Sequence, residues 1–84
     1  MDRCFVTFRS VTFAQRGEQI LKKAGIGCRL QRTPKWMEEQ GCGYCLVLEK
    51  VQLFRAAERL RQAQVPFRKL YLSHGDGALE EVAD

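Results

Sequence analysis

"VTFAQRGEQILKKAGIGCR" (11–29) and "VQLFRAAERLRQAQVPFR" (51–68) read as two versions of one pattern. A shift of 40 residues pairs Val11 with Val51, Phe13 with Leu53, Gly17 with Ala57, Glu18 with Glu58 and Ile20 with Leu60. A shift of 39 pairs "AGIGCR" (24–29) with "AQVPFR" (63–68). In the first copy Phe13, Gly17, Ile20, Leu21 and Ala24 recur at helical spacing, Ser10 stands where an N-cap belongs, and Gly25 closes the turn as a C′ residue. In the second copy Leu53, Ala56, Ala57, Leu60 and Ala63 form the matching stripe.

Each helix lies between two strand patterns. Residues 3–9, "RCFVTFR", are β-branched and aromatic, with Cys4, Val6 and Phe8 on one face. A second strand is expected at about 26–32, a third over "GYCLVLE" (43–49), and a last over "VPFRKLYL" (65–72). Pro66 has no N–H for a ladder and belongs at a strand start or an edge. Two β-α-β halves with right-handed crossovers give an α+β fold. The expected architecture is a ferredoxin-like plait, βαββαβ, with a four-stranded antiparallel sheet and two helices on one face. Gly17 and Ala57, small and at matching positions, would let each helix lie close to the sheet.

Eighty-four residues make one domain, expected over 1–72, with 73–84 as an acidic, flexible tail. The tail carries Asp76, Glu80, Glu81 and Asp84 and no Lys or Arg; residues 1–72 hold all 14 basic residues against 6 acids, +8. Such a body could attract nucleic acid or an acidic protein, with the tail screening it, or it could be an ordinary solvated surface. No apolar run approaches the ~20 residues of a membrane span, and "MDRCFVTFRS" (1–10) lacks the pattern of a signal peptide. The expected setting is the cytoplasm, in a chain of bacterial style, where Cys4, Cys28, Cys42 and Cys45 would be thiols.

Between the second and third strands lies "TPKWMEEQGCG" (33–43), against the ~2–5 residues of a usual hairpin connection. It contains Trp36 and Met37 where turn residues would suffice. A functional loop and a flap over the core both fit that content. The pair Cys42 and Cys45 opens a strand, not a helix, which removes the dipole that activates the thioredoxin-type C-x-x-C. Metallochaperones of this fold carry their cysteines after the first strand, where "RSVTF" (9–13) has none. A zinc site would need two further ligands, and Cys28 and His74 are the only spare soft candidates unless a dimer completes it; no metal is expected. Cys42, between Gly41 and Gly43, is open to approach, whereas Cys45 is either a packed core thiol or a resolving one.

The short first strand, Ser10, "KKAGI" (22–26), "TP" (33–34) and "CG" (42–43) together resemble the selenium/sulfur carrier-like family of small bacterial proteins, formerly a domain of unknown function. The resemblance spans about residues 4–71, and the family's characteristic cysteine falls on Cys42. Its usual small or aliphatic strand position falls on Cys45, so the full C-x-x-C is a departure. The resemblance implies a carrier or thiol relay that holds selenium or sulfur on Cys42 as a perselenide or persulfide. That departure leaves open whether one thiol works or two: Cys45 could resolve the cargo, and Thr33, Pro34, Gly41 and Gly43 would support the loop. No resident cofactor is implied; the implied partners are a protein donor and a protein acceptor, with a homodimer also open. Arg32 and Lys35 could favour a thiolate at Cys42, but Glu38 and Glu39 balance them.

The alternative is a non-catalytic binding or regulatory module using the open sheet face. Phe5, Tyr44, Phe67 and Tyr71 could stack on single-stranded RNA, but the consensus aromatic run of RNA-recognition sheets is absent, and nucleic acid is not favoured. No Ser-His-Asp set, paired carboxylates or phosphate loop stands out, which points to a carrier or binding protein over a self-sufficient enzyme.

Overall fold

In the computed structural model, residues 3–33, 43–74 and 79–82 are described. The elements run β1 (Arg3–Thr7), α1 (Val11–Lys23), β2 (Cys28–Arg32), β3 (Tyr44–Glu49), α2 (Leu53–Gln62), β4 (Leu70–Ser73) and β5 (Leu79–Val82), with one 3₁₀ turn at Lys50–Gln52 ahead of α2. The fold is α+β: two helices and a five-stranded antiparallel sheet in the order β2-β3-β1-β4-β5. β1 and β2 both run antiparallel to β3, and β1 also pairs antiparallel with β4.

The expected four strands are thus corrected to five. Leu79–Val82, within the acidic segment expected to trail free, pairs with β4 from Leu70↔Val82 to Ser73↔Leu79. Backbone pairing at an open sheet edge asks little of the side chains. Val82 nonetheless packs against the core, Glu81 meets Lys69 at 3.5 Å and Glu80 meets His74 at 2.9 Å. β4 also begins later than expected. Gln64 (φ 59) turns the chain out of α2, and Pro66 follows without a donor. Before the strand proper, Arg68 N–H donates to Thr7 O at 2.7 Å and Thr7 N–H to Lys69 O at 3.0 Å, so the path beside β1 is already extended.

The C-terminal ends of the two helices bear out the repeat, whereas their N-terminal ends differ: α1 carries a side-chain cap and α2 does not. Ser10 caps α1 by accepting from Phe13 N–H at 3.2 Å. At its other end Gly25 (φ 77) lets Ile26 N–H reach Leu21 O at 2.9 Å, and after α2 Gln64 lets Val65 N–H reach Leu60 O at 2.9 Å. These are two Schellman closures, each with a buried apolar pair beneath it. One core holds Cys4, Val6 and Phe8 of the β1 segment, Leu46 and Leu48 of β3, Leu70 of β4, and Ala14, Leu21, Leu53, Ala56, Ala57 and Leu60 of the helices. Both helices therefore cover one sheet face. Gly17 lies where an added Cβ would stand 3.1–3.3 Å from Phe8, Leu60 and Leu46, the close approach expected of a small residue there.

Candidate functional site

β2 and β3 pair in register from Arg32↔Tyr44 to Cys28↔Leu48, and the connection between them springs from one end of that ladder. Its base is a clasp: Thr33 N–H donates to Gly43 O at 2.8 Å, with Thr33 buried and Gly43 at φ 84. That dihedral is costly for any residue with a Cβ, which accounts for a glycine between the two cysteines. Of the loop-support residues, Thr33 and Gly43 are thus brought together. Pro34, Gly41 and Cys42 lie outside the described residues.

Alternation along β3 decides where Cys45 points. Leu46 and Leu48 join the helix-covered core, and Tyr44 packs against it. Cys45 and Val47 therefore face the other side, with Cys45 opposite Thr7 on β1 and Gln31 on β2. Cys45 is 0% exposed there. Its thiol is enclosed, yet it shares no core with the helices, a distinction that residue spacing alone does not make.

The other two described thiols, Cys4 and Cys28, are both held towards the protonated form. Cys4 is wholly buried, its Sγ–H aimed at Glu49 O at 3.7 Å, and burial pushes its pKa up to about 12. Cys28 is half-buried, with Sγ 3.9 Å from Glu18 O. Its pKa is raised first by burial and then by the Glu18 carboxylate, against a smaller opposing effect of Lys22. A thiol must ionise before it attacks, so burial sets Cys4 aside as a nucleophile near neutral pH and disfavours Cys28.

The aromatic platform of the alternative reading assembles only in part. Phe5 and Tyr71 are direct cross-strand partners on the face away from the helices. Tyr44 lies on the helix side, with the Arg32 guanidinium 5.4 Å from its ring centroid. Phe67 precedes β4 and lies beneath Arg61 at 5.6 Å. Among the described residues no group of His, Cys, Asp and Glu is arranged to hold a metal, and no helix is long and apolar enough to cross a membrane.

Reasoning from the sequence passed over Val51 and Phe54, which are 83% and 73% exposed at the start of α2. The available signal was an aromatic at position 54, off the buried stripe of Leu53, Ala56, Ala57 and Leu60.

No curated protein and no solved structure matches the chain. The model of one family, described as "Putative Se/S carrier protein-like", matches residues 3–72, from the first residue of β1 into β4 and across both helices and the clasp. By that match the chain belongs to the Se/S carrier-like family.

Proposed function

We propose that this protein is a selenium or sulfur carrier in which Cys42 holds the cargo and Cys45 resolves it, on a β1–β4 framework that is a ferredoxin-like plait. The observation that carries this reading is the withdrawal of the other thiols. Cys4 is fully enclosed and its ionisation, like that of Cys28, is opposed, while the enclosure of Cys45 keeps it from an external partner's sulfur. Cys42 immediately precedes Gly43, whose carbonyl closes the clasp to Thr33. An anchored base of this kind suits a residue that must meet a partner's sulfur in line.

Loading is a thiol exchange. The Cys42 thiolate attacks the outer sulfur of a donor persulfide; a new S–S bond forms, the donor's breaks, and the donor leaves as its thiolate. No net oxidation occurs. In release, the Cys45 thiolate attacks the Cys42 sulfur, a Cys42–Cys45 disulfide forms and the cargo departs as hydrosulfide or hydroselenide. Two thiols are oxidised while the cargo atom is reduced, and a dithiol reductant resets the pair. Three fully extended residues span about 10 Å, beyond the roughly 4.4–6.8 Å between the Cα atoms of a disulfide. The left-handed bend at Gly43 (φ 84) shortens that path and supports the pairing. Enclosure of Cys45 favours attack from within the chain over attack on an external disulfide. The donor and acceptor are proteins on this reading, and the working compartment is the cytoplasm.

The test is inorganic polysulfide loading of the full chain, followed by intact mass. Wild type gains one sulfur atom before Cys45 ejects it as sulfide, and Cys42→Ser gains none. Cys45→Ser loads normally but releases sulfide more slowly under a dithiol. Equal loading of wild type and Cys42→Ser would overturn the assignment.

A further inference from the structure

An aromatic side chain left in water at the start of a helix is the least explained feature of the surface. Val51, Phe54, Arg55, Glu58, Arg59 and Gln62 follow the i, i+3, i+4, i+7 spacing of one helix face, opposite the buried stripe of α2. The first two are apolar and project almost completely, at 83% and 73% exposure. Arg55 reaches across to α1, donating from Nη2 to Ala24 O at 3.0 Å, which ties the stripe to the neighbouring helix. Beside it Ile20, Lys23, Ala24, Arg59, Gln62 and Ala63 line an interhelical groove of about 360 Å³ with a partly apolar floor.

The charge of this surface is one-sided. Arg16, Lys22 and Lys23 on α1 face a single carboxylate, Glu18; Arg55 and Arg59 on the outer face of α2 face only Glu58. Glu18 is taken by Lys22 at 3.4 Å, and Glu58 accepts from Gln62 at 3.3 Å. Among the described residues Lys23 and Arg59 make no ion pair. Nor do Glu80 and Glu81 of the chain's acidic segment neutralise the helices, because they are held in β5 beside His74 and Lys69. A second copy is a poor occupant. A symmetric contact sets like surfaces together and would place arginine against arginine.

We propose that the outer face of α2, with its groove against α1, is the docking surface for an acidic protein partner whose apolar side chains pack on Val51 and Phe54. Exposed apolar anchors ringed by polar groups are the composition of a protein interface. The unopposed cations select a partner of negative charge and speed its encounter. The surface is independent of which cysteine carries cargo.

The test is a titration of the ¹⁵N-labelled full chain with a synthetic amphipathic helical peptide, leucine on one face and glutamate on the other. Affinity is read by fluorescence anisotropy. Amide shifts should cluster at Lys23, Val51, Phe54, Arg55 and Arg59, and binding should weaken with added salt. Phe54→Ala and Arg59→Glu, both at exposed positions, should keep the native amide spectrum elsewhere and each weaken binding about tenfold or more. Absence of binding, equal binding of a peptide with lysine in place of glutamate, or binding unchanged in both variants would overturn the proposal. So would a single-stranded RNA oligonucleotide that shifts the same amides more strongly and indifferently to Phe54→Ala.

Discussion

Replacing Gly17 by alanine sets two effects of known size against each other. Mid-helix glycine costs about 1 kcal/mol relative to alanine, so propensity alone would make Gly17→Ala stabilising. The new methyl, however, would stand 3.1 Å from Phe8 Cζ, 3.2 Å from Leu60 Cδ2 and 3.3 Å from Leu46 Cδ1. Ordinary carbon contacts lie at about 3.5–4.0 Å, so each neighbour must retreat by a few tenths of an ångström. None can do so freely, because Phe8, Leu46 and Leu60 are all 0% exposed. They belong to the β1 segment, β3 and α2, so the methyl is hemmed from three elements, and α1 must lift off the sheet. Overpacking of this kind costs about 1–3 kcal/mol and outweighs the propensity gain. The expected net loss is about 1 kcal/mol, a fall in thermal midpoint of roughly 4–8 °C for a domain of this size. Urea and thermal unfolding monitored by circular dichroism measure it. A variant as stable as wild type, or more so, would refute the claim that side-chain contact sets the approach of α1.

Gln64→Gly should raise stability by about 0.5–1 kcal/mol in urea unfolding, since a left-handed residue with a Cβ is strained by roughly 1–2 kcal/mol and glycine returns part of that as unfolded-state entropy. Ending the chain after His74 removes β5, the Lys69–Glu81 pair and the packing of Val82, and should cost about 1–2 kcal/mol, read as a lower thermal midpoint. Cys4 should resist iodoacetamide in the native protein at pH 8, where a pKa of about 12 leaves on the order of one thiolate in 10⁴. Because its folded pKa lies above the ordinary value of 9.0, Cys4 stabilises fully below pH 9 and loses that contribution as pH rises toward 12. The pH dependence of urea unfolding across that window should therefore flatten in Cys4→Ala.

The α/β alternation was legible because the 40-residue repeat places Leu53, Ala57 and Leu60 in register with Phe13, Gly17 and Ile20. Small residues at Gly17 and Ala57 marked where helix meets sheet. The second Schellman closure was hidden, since Gln64 stands where the first copy has Gly25, and glutamine carries no signal of a left-handed turn. β5 was hidden for a different reason. Its stability comes from backbone pairing and from Glu80 and Glu81 finding His74 and Lys69, while composition alone registers those acids as solvated charge. At the candidate site, period-two alternation set Cys45 apart from Leu46 and Leu48, but which face the helices cover depends on strand order. Thr33 and Gly43 were identifiable as loop residues, whereas their mutual hydrogen bond depends on the β2–β3 register.

That hydrogen bond also bears on how such a protein could diversify. With Thr33 and Gly43 held together, the two ends of the segment 34–42 are fixed side by side at the end of the β2–β3 ladder. Lengthening a chain segment whose ends are already fixed is inexpensive, about 0.6 kcal/mol for each doubling. Insertions, deletions or wholesale exchange there leave every rung from Arg32↔Tyr44 to Cys28↔Leu48 in place. The segment is in this sense an interchangeable cassette. Descendants of one scaffold could acquire new properties by rewriting it while keeping the β2–β3 ladder.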